Sequence, residues 1–284
     1  MNKFLKYSMR EPLPDERKIS YSQFSMYSSC PKHWELAYAK GLRTFSQSIH
    51  TIFGTAFHET LQNYLTVMFN ESVKKADEID INKYLKDQMF TLYKEAVDKM
   101  GDHFSNKFEL GEFYEDGVAI LDWFKKKRGQ YFSSRNEELI GIEVPIYHPV
   151  NENNDKVMML GYLDIVIRDK RDNKITIIDI KTSTMGWNKY QKADKTKTSQ
   201  LVLYKKYFAE QYGYDVENID VKYMIVKRKL IEGAMFPQKR ITDFMPASGK
   251  PTRNKLTTEI TGFVDSAFHK DGTFNLDRKY PAIA

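Results

Sequence analysis

The stretch Gly161-Tyr-Leu-Asp164-Ile-Val-Ile-Arg-Asp-Lys-Arg-Asp-Asn-Lys-Ile-Thr-Ile-Ile-Asp179-Ile-Lys181-Thr182 reads as two strands joined by a tight turn. Residues 160–167 and 175–180 are β-branched and apolar on both faces, the pattern of central strands covered on both sides. The charged run 168–174 between them carries turn residues at Asp172-Asn173. Into this apolar hairpin the sequence inserts Asp164, Asp179 and Lys181. Charges in a buried strand cost several kcal/mol unless they are paired or hold a metal, so the three need a reason.

Register supplies one. Folded symmetrically about Arg171 and Asp172, the hairpin sets Asp164 opposite Asp179 on the same face, with Cβ atoms about 5 Å apart. Lys181, two residues on, shares that face. Two carboxylates so close repel unless one is protonated or a cation lies between them, and a hard divalent ion prefers such oxygens. The neighbouring lysine could then orient or deprotonate a water, which is the equipment for metal-assisted hydrolysis of a phosphodiester. The plainer alternative is a solvated salt bridge, the usual meaning of Asp-x-Lys on a hairpin.

With 284 residues, 41% hydrophobic and 29% charged, the chain has material for a large core, as one elaborated domain or two small ones. No apolar run approaches the roughly 18 residues of a membrane span, and the start Met-Asn-Lys-Phe-Leu-Lys-Tyr-Ser lacks a signal-peptide core. The expected setting is cytoplasmic, in a bacterium or a phage-infected host, with no membrane partner. The single cysteine, Cys30, excludes internal disulfides, a cysteine-based zinc site and a four-cysteine iron–sulfur cluster. Net charge is +6; residues 1–140 carry 20 basic and 20 acidic side chains, and residues 141–284 carry 24 and 18. The excess in the half containing the hairpin suits a polyanionic partner, although so modest an excess also serves solubility alone.

Along the chain, residues 1–18 read as an irregular lead-in. Ser20 or Ser22 can cap a short helix with Phe24 and Tyr27 as an apolar pair, Pro31 stops it, and a second short helix follows. Residues 49–69 form a longer amphipathic helix carrying His58. A lone helical histidine is more often a packing residue than a ligand, but Gly54, one turn earlier, would open space beside its ring. Residues 80–100 and 112–131 read as helices, the second ending in a solvated basic turn, 125–128. Residues 140–147 read as a strand carrying Glu143, with Pro145 suggesting an edge. After the hairpin, Trp187 and Tyr190 alternate with Lys189, Lys192, Lys195 and Lys197. That mixture suits single-strand binding or, equally, a mobile loop whose aromatics pack on the core. Residues 196–212 are a helix on which Gln200 and Tyr204 are neighbours, 219–227 a strand, 254–268 the last helix, and the tail after Asp271 irregular. The order describes an α/β core, 136–284, with a helical N-terminal layer, 1–135, that contributes His58. No G-x-x-x-x-G-K-[S/T] occurs, so the chain is not itself an NTP-driven motor.

Ser20-x-Ser22 with Cys30-Pro31, Gly54-x-x-x-His58, Gly161-x-x-Asp164, Ile178-Asp179-Ile-Lys181-Thr182 and Gln200-x-x-x-Tyr204 stand in one order. In that order and rough spacing, over about residues 20–210, the chain resembles the RecB-like branch of the PD-(D/E)xK nuclease superfamily. Each motif is weak alone; five in order are specific. The resemblance implies a restriction-endonuclease-like core, a mixed central sheet flanked by helices. It implies hydrolysis of DNA, single- or double-stranded, as a stand-alone exonuclease of repair, recombination or degradation. Mg²⁺ or Mn²⁺ would be the cofactor, and a separate helicase or recombination protein a partner. By position, the implied metal set is His58, Asp164, Asp179 and Ile180, and Lys181 resembles the catalytic lysine. Gln200 and Tyr204 resemble a pair that contacts the nucleic acid, with Trp187, Lys189 and Tyr190 beside them, and Glu143 loosely matches an accessory acid of the first core strand. Two departures stand out. Members with an iron–sulfur cluster need three more cysteines near the C-terminus, and 274–284 has none, which leaves Cys30 as a small buried residue. Asp179 stands where many relatives have Glu. A catalytically inactive nucleic-acid-binding subunit of the same fold is the alternative, and retention of Asp164, Asp179 and Lys181 argues against it.

Overall fold

The computed structural model describes residues 7–44 and 46–283, so the first six residues of the expected lead-in lie outside it. The lead-in ends in a short strand, β1 (Arg17–Ile19), too brief to show alternation in sequence. Ser20 caps α1 (Tyr21–Ser29), and Pro31 opens α2 (Pro31–Trp34), which runs on into a π-helical turn, Glu35–Ala39. Pro31 thus starts one helix as it stops another. Ser48 caps α3 (Ile49–Asn70), Ser72 caps a short α4 (Val73–Glu78), and Asp80 caps α5 (Ile81–Met100). Asn106 caps α6 (Lys107–Lys127), which begins five residues before the expected start because that cap accepts from both Phe108 N and Glu109 N. Two long strands follow, β2 (Glu137–Asn151) and β3 (Asn154–Asp169), then β4 (Ile175–Ser183). The segment expected to be a loop forms α7 (Lys189–Ala193), closed by a capping box of Asn188 and Gln191. After it come α8 (Lys195–Tyr212), β5 (Ile219–Lys227), β6 (Ile241–Phe244) and α9 (Lys250–Ala267). The β6 strand was hidden in a stretch rich in Pro, Gly and Lys, and α9 starts early because Pro251 sits in its first turn.

β3 organises the mixed six-stranded sheet. β2 lies antiparallel along one edge of it, with Pro145 beside Tyr162 on what is the outer strand. The other edge is shared: β1 pairs parallel at 157–159 and β4 antiparallel at 165–168. Between those pairings, residues 160–164 meet no strand on that side among the described residues. β5 then runs parallel to β4, and β6 antiparallel to β5.

Helices cover both faces, each with its own core. On one side α1, α2, α8 and α9 pack through Trp34, Tyr207, Phe208 and Phe263. On the other, α3, α5 and α6 pack through Phe53, Phe57, Leu85, Leu121 and Phe124. Each fully buried side chain of this kind contributes about 1.5–3 kcal/mol. Strand alternation allots Ile177 to the first core and Ile178 and Ile180 to the second. On β3 the phase slips: Met159 and Leu163 face the first core, Ile165 and Ile167 the second. β2 slips opposite it, with Val144 and Ile146 facing the first core and Ile142 the second. The slip falls at Asp164 and Glu143, and Glu143 has φ +49° in mid-strand, a left-handed conformation costly for glutamate.

Two further expectations are corrected. Cys30 is half-buried rather than buried, and its Sγ accepts from Ile283 N at 3.4 Å. The basic turn that ends α6 is not merely solvated, since Arg128 stands 2.9 Å from the Asp77 carboxylate and Lys125 Nζ donates to Asp77 O.

Candidate active site

Asp164 sits where β3 changes phase and where main-chain pairing with β4 ends, at Ile165↔Ile178. Its side chain continues the ladder: Oδ2 accepts from Ile180 N at 2.7 Å. One register step beyond the last pair, Asp179 lies opposite Asp164, as the symmetric hairpin requires. Asp179 is 4% exposed. Lys181 Nζ stands 2.8 Å from Asp179 Oδ2 and donates to Gln200 Oε1 at 3.2 Å. Gln200 Nε2 in turn donates to Tyr204 Oη at 3.3 Å, so α8 steadies the lysine one turn at a time. From α3, His58 Nδ1 comes within 3.5 Å of Asp164 Oδ2. Gln62, one turn further on, donates to Glu143 Oε1 at 2.6 Å and to Asp164 O at 3.2 Å, tying the two strands at their phase slip.

Two glycines allow this closeness. A Cβ on Gly161 would stand 2.7 Å from Cζ and Oη of Tyr204, so only glycine lets the tyrosine ring lie over β3. A Cβ on Gly54 would stand 3.2 Å from Thr182 Oγ1, so the space expected beside His58 is taken on one side by the end of β4. Replacing Gly161 by alanine should displace Tyr204 and lower stability by about 1–3 kcal/mol, read by thermal or denaturant unfolding. An unchanged stability would mean that the ring has room to move.

The charges are held against their solution preferences. Burial pushes the Asp164 carboxyl well above the ordinary carboxylate range and the Asp179 charge pushes it the same way, with the Ile180 N–H opposing. Burial also raises Asp179, against the pull of Lys181. For Lys181, burial works against the charge, but Asp179 and Asp164 outweigh it and raise the pKa. The group therefore remains an ammonium at neutral pH, able to orient and donate but not to deprotonate a water. Burial, then the Lys181 charge, lowers the His58 ring to about 4, which keeps it neutral at pH 7.

Among the described residues no three His, Cys, Asp or Glu side chains form a ready metal-ligand group. The donor chemistry nonetheless fits a divalent cation. Asp179 Oδ2 is buried and no hydrogen-bond donor is aligned on it, although the Lys181 ammonium lies near. Burial makes both carboxyls resist ionisation, and a hard cation with oxygen ligands offsets that cost. His58 adds a neutral nitrogen beside Asp164, and Ile180 lines the same cavity as His58.

The substrate residues expected after the hairpin separate. Trp187 packs on the core, 5.0 Å from the Tyr223 ring and 6.2 Å from Phe244. Tyr190 is 72% exposed, with Lys189 Nζ 5.0 Å from its ring centroid, and neither joins the network. Sequence reading missed Gln62, although four residues after His58 it shares that helical face. It also missed Tyr223, which donates to Lys197 O at 2.9 Å and fixes the first turn of α8; nothing in its strand context marks it. No curated protein matches the chain. The family profile described as PD-(D/E)XK nuclease superfamily matches residues 18–273, a span that runs from β1 past α9 and takes in every site residue named above. The chain belongs to the PD-(D/E)XK nuclease superfamily.

Proposed function

We propose that the protein is a Mg²⁺- or Mn²⁺-dependent deoxyribonuclease of the RecB-like branch, acting as an exonuclease in DNA repair, recombination or degradation. Superfamily membership implies a metal-dependent nuclease. The observation that carries the reading is the buried pair Asp164 and Asp179, which share one field, with Lys181 on the second of them. In this reading residues 1–135 bring His58 to a nuclease core spanning 136–284. With one cysteine in the sequence, a four-cysteine cluster would lack three of its ligands.

A divalent ion held by Asp164, Asp179, Ile180 O and His58 would supply Lewis-acid charge stabilisation and hydroxide at neutral pH. The Ile180 N–H bond fixes the rotamer of Asp164 before any ligand arrives. Lys181, held between Asp179 and Gln200, directs its remaining protons at water or at a phosphoryl oxygen, and so offsets charge that develops in the transition state. Gln200 and Tyr204 set the reach of that ammonium. Glu143, drawn in by Gln62, adds an accessory carboxylate to the cavity that His58 lines.

End-labelled single- and double-stranded DNA, with Mg²⁺, Mn²⁺ or EDTA, tests this reading. Metal-dependent release of short products from one end is expected. Internal cuts would overturn the exonuclease mode, and inert substrates in every metal would overturn the nuclease. His58→Ala should lower activity most at limiting metal and recover in part with excess Mn²⁺, with metal-free stability nearly unchanged. A packing role would instead lower metal-free stability by roughly 1–3 kcal/mol without rescue.

A further inference from the structure

Away from the acidic pair, α8 and α9 bury two cations within each other's field and with too few anions to match them. Lys205 of α8 is 4% exposed and makes no hydrogen bond or ion pair among the described residues. Its ammonium is not fully enclosed, so the stem is covered while the charge keeps an edge in water. Arg253 of α9, 7% exposed, donates to Ser248 O at 2.8 Å and to Glu217 in the 3₁₀ turn Val216–Asn218. Burial first, and then the Arg253 charge, pull the Lys205 ammonium below its ordinary pKa. Two carboxylates act on Lys205 in the other direction, but both are engaged elsewhere, Glu217 by Arg253 and Asp220 by Lys174 at 2.8 Å. Three cations thus meet two anions, and Lys205 is the one left over. The start of α9 adds to the imbalance. Gly249 caps it without a side-chain bond, and Ser248, whose carbonyl takes an Arg253 proton, brings that positive helix end to the guanidinium.

We propose that Lys205, Arg253 and the first turn of α9 form a binding site for a phosphate group, separate from the active site. Lys174 and Asp220 mark where it lies, at the ends where β4 and β5 begin. The pair Thr176↔Asp220 precedes Asp179↔Tyr223 by three register steps, roughly 10 Å along the sheet. Phosphate suits the donors because it accepts from several at once. The Lys205 ammonium has three N–H groups to offer, and the Arg253 guanidinium keeps hydrogens beyond those given to Ser248 and Glu217. The uncapped helix start favours the same charge. Glu217 is the resident stand-in: its side chain, 62% exposed, answers Arg253 from the solvent side and leaves Lys205 unanswered. A phosphate that displaces it reaches both cations.

Thermal unfolding of the full chain in EDTA, with inorganic phosphate replacing chloride at constant ionic strength, tests the site. The wild type should show a saturable rise in Tm, about 3 °C at roughly ten times the dissociation constant. Lys205→Met keeps the stem and removes the charge, so the rise should disappear. Without phosphate this variant should melt no lower than wild type, because an unpaired buried cation is gone. A lysine that only packs would do the reverse, lowering the phosphate-free Tm and leaving the rise intact. Glu217→Gln removes the competing carboxylate and should reach half the rise at about threefold less phosphate. Lys181→Met should keep the rise, which separates this site from the active site and from the nuclease reading. An equal rise in wild type and Lys205→Met, or its loss in Lys181→Met, would overturn the site. A Lys205-dependent rise with an oligothymidylate that lacks terminal phosphate assigns the group to a DNA backbone, and one with inorganic phosphate alone assigns it to a free oxyanion; either supports the site.

Discussion

Replacing Asp164 or Asp179 by alanine should lower the rate of DNA cleavage by about 10³-fold or more, with DNA affinity little changed. The loss corresponds to several kcal/mol of transition-state charge stabilisation, at about 1.4 kcal/mol per tenfold. Gel assays of cleavage and fluorescence anisotropy of binding separate the two effects. Full activity in either variant would remove the metal site from the account. The same pair predicts a pH effect. Both carboxyls are raised in the fold, so at these two groups the folded metal-free protein binds more protons than the unfolded chain. The contribution of the pair to stability is therefore fully present below about pH 4, the unfolded aspartate value, and is lost as pH rises through the folded values. A divalent ion that binds the ionised pair should reverse this, so Mn²⁺ should raise Tm more at pH 8 than at pH 5. An equal gain at both would mean that the ion binds elsewhere.

Lys181→Met should lower kcat by roughly 10²–10³-fold, the usual cost of losing one aligned donor to transition-state charge. Metal affinity should not fall with it, because methionine removes a cation that competes for Asp179 Oδ2. Single-turnover cleavage and Mn²⁺ titration check the two halves. A matching loss of metal binding would make Lys181 a structural partner of Asp179.

The hairpin was legible because its apolar strands are symmetric about a charged turn, and symmetry fixes register. Asp164 and Asp179 meet as that register demands. α3 was legible from its apolar period, and α8 and β5 fall close to the ranges read from sequence, so His58, Gln200 and Tyr204 stand on the elements expected for them. The phase slip at Glu143 and Asp164 was not. The slip arises from two strands turning their faces together, which no local pattern records. Glu143 could be matched only loosely, and its left-handed backbone and its bond to Gln62 exist only once α3 is packed on the sheet. The lysine-rich segment was ambiguous because composition does not say where a tryptophan points. Trp187 turned out to pack on Tyr223 and to line a cavity between α1 and α8 as well.

Mn²⁺ titration of the wild-type protein and of Asp179→Ala, by calorimetry in metal-free buffer at neutral pH, tests the central claim most directly. Saturable binding by the wild type that is lost or strongly weakened in Asp179→Ala is the predicted result. Equal binding by both proteins would contradict a metal centre built on the acidic pair.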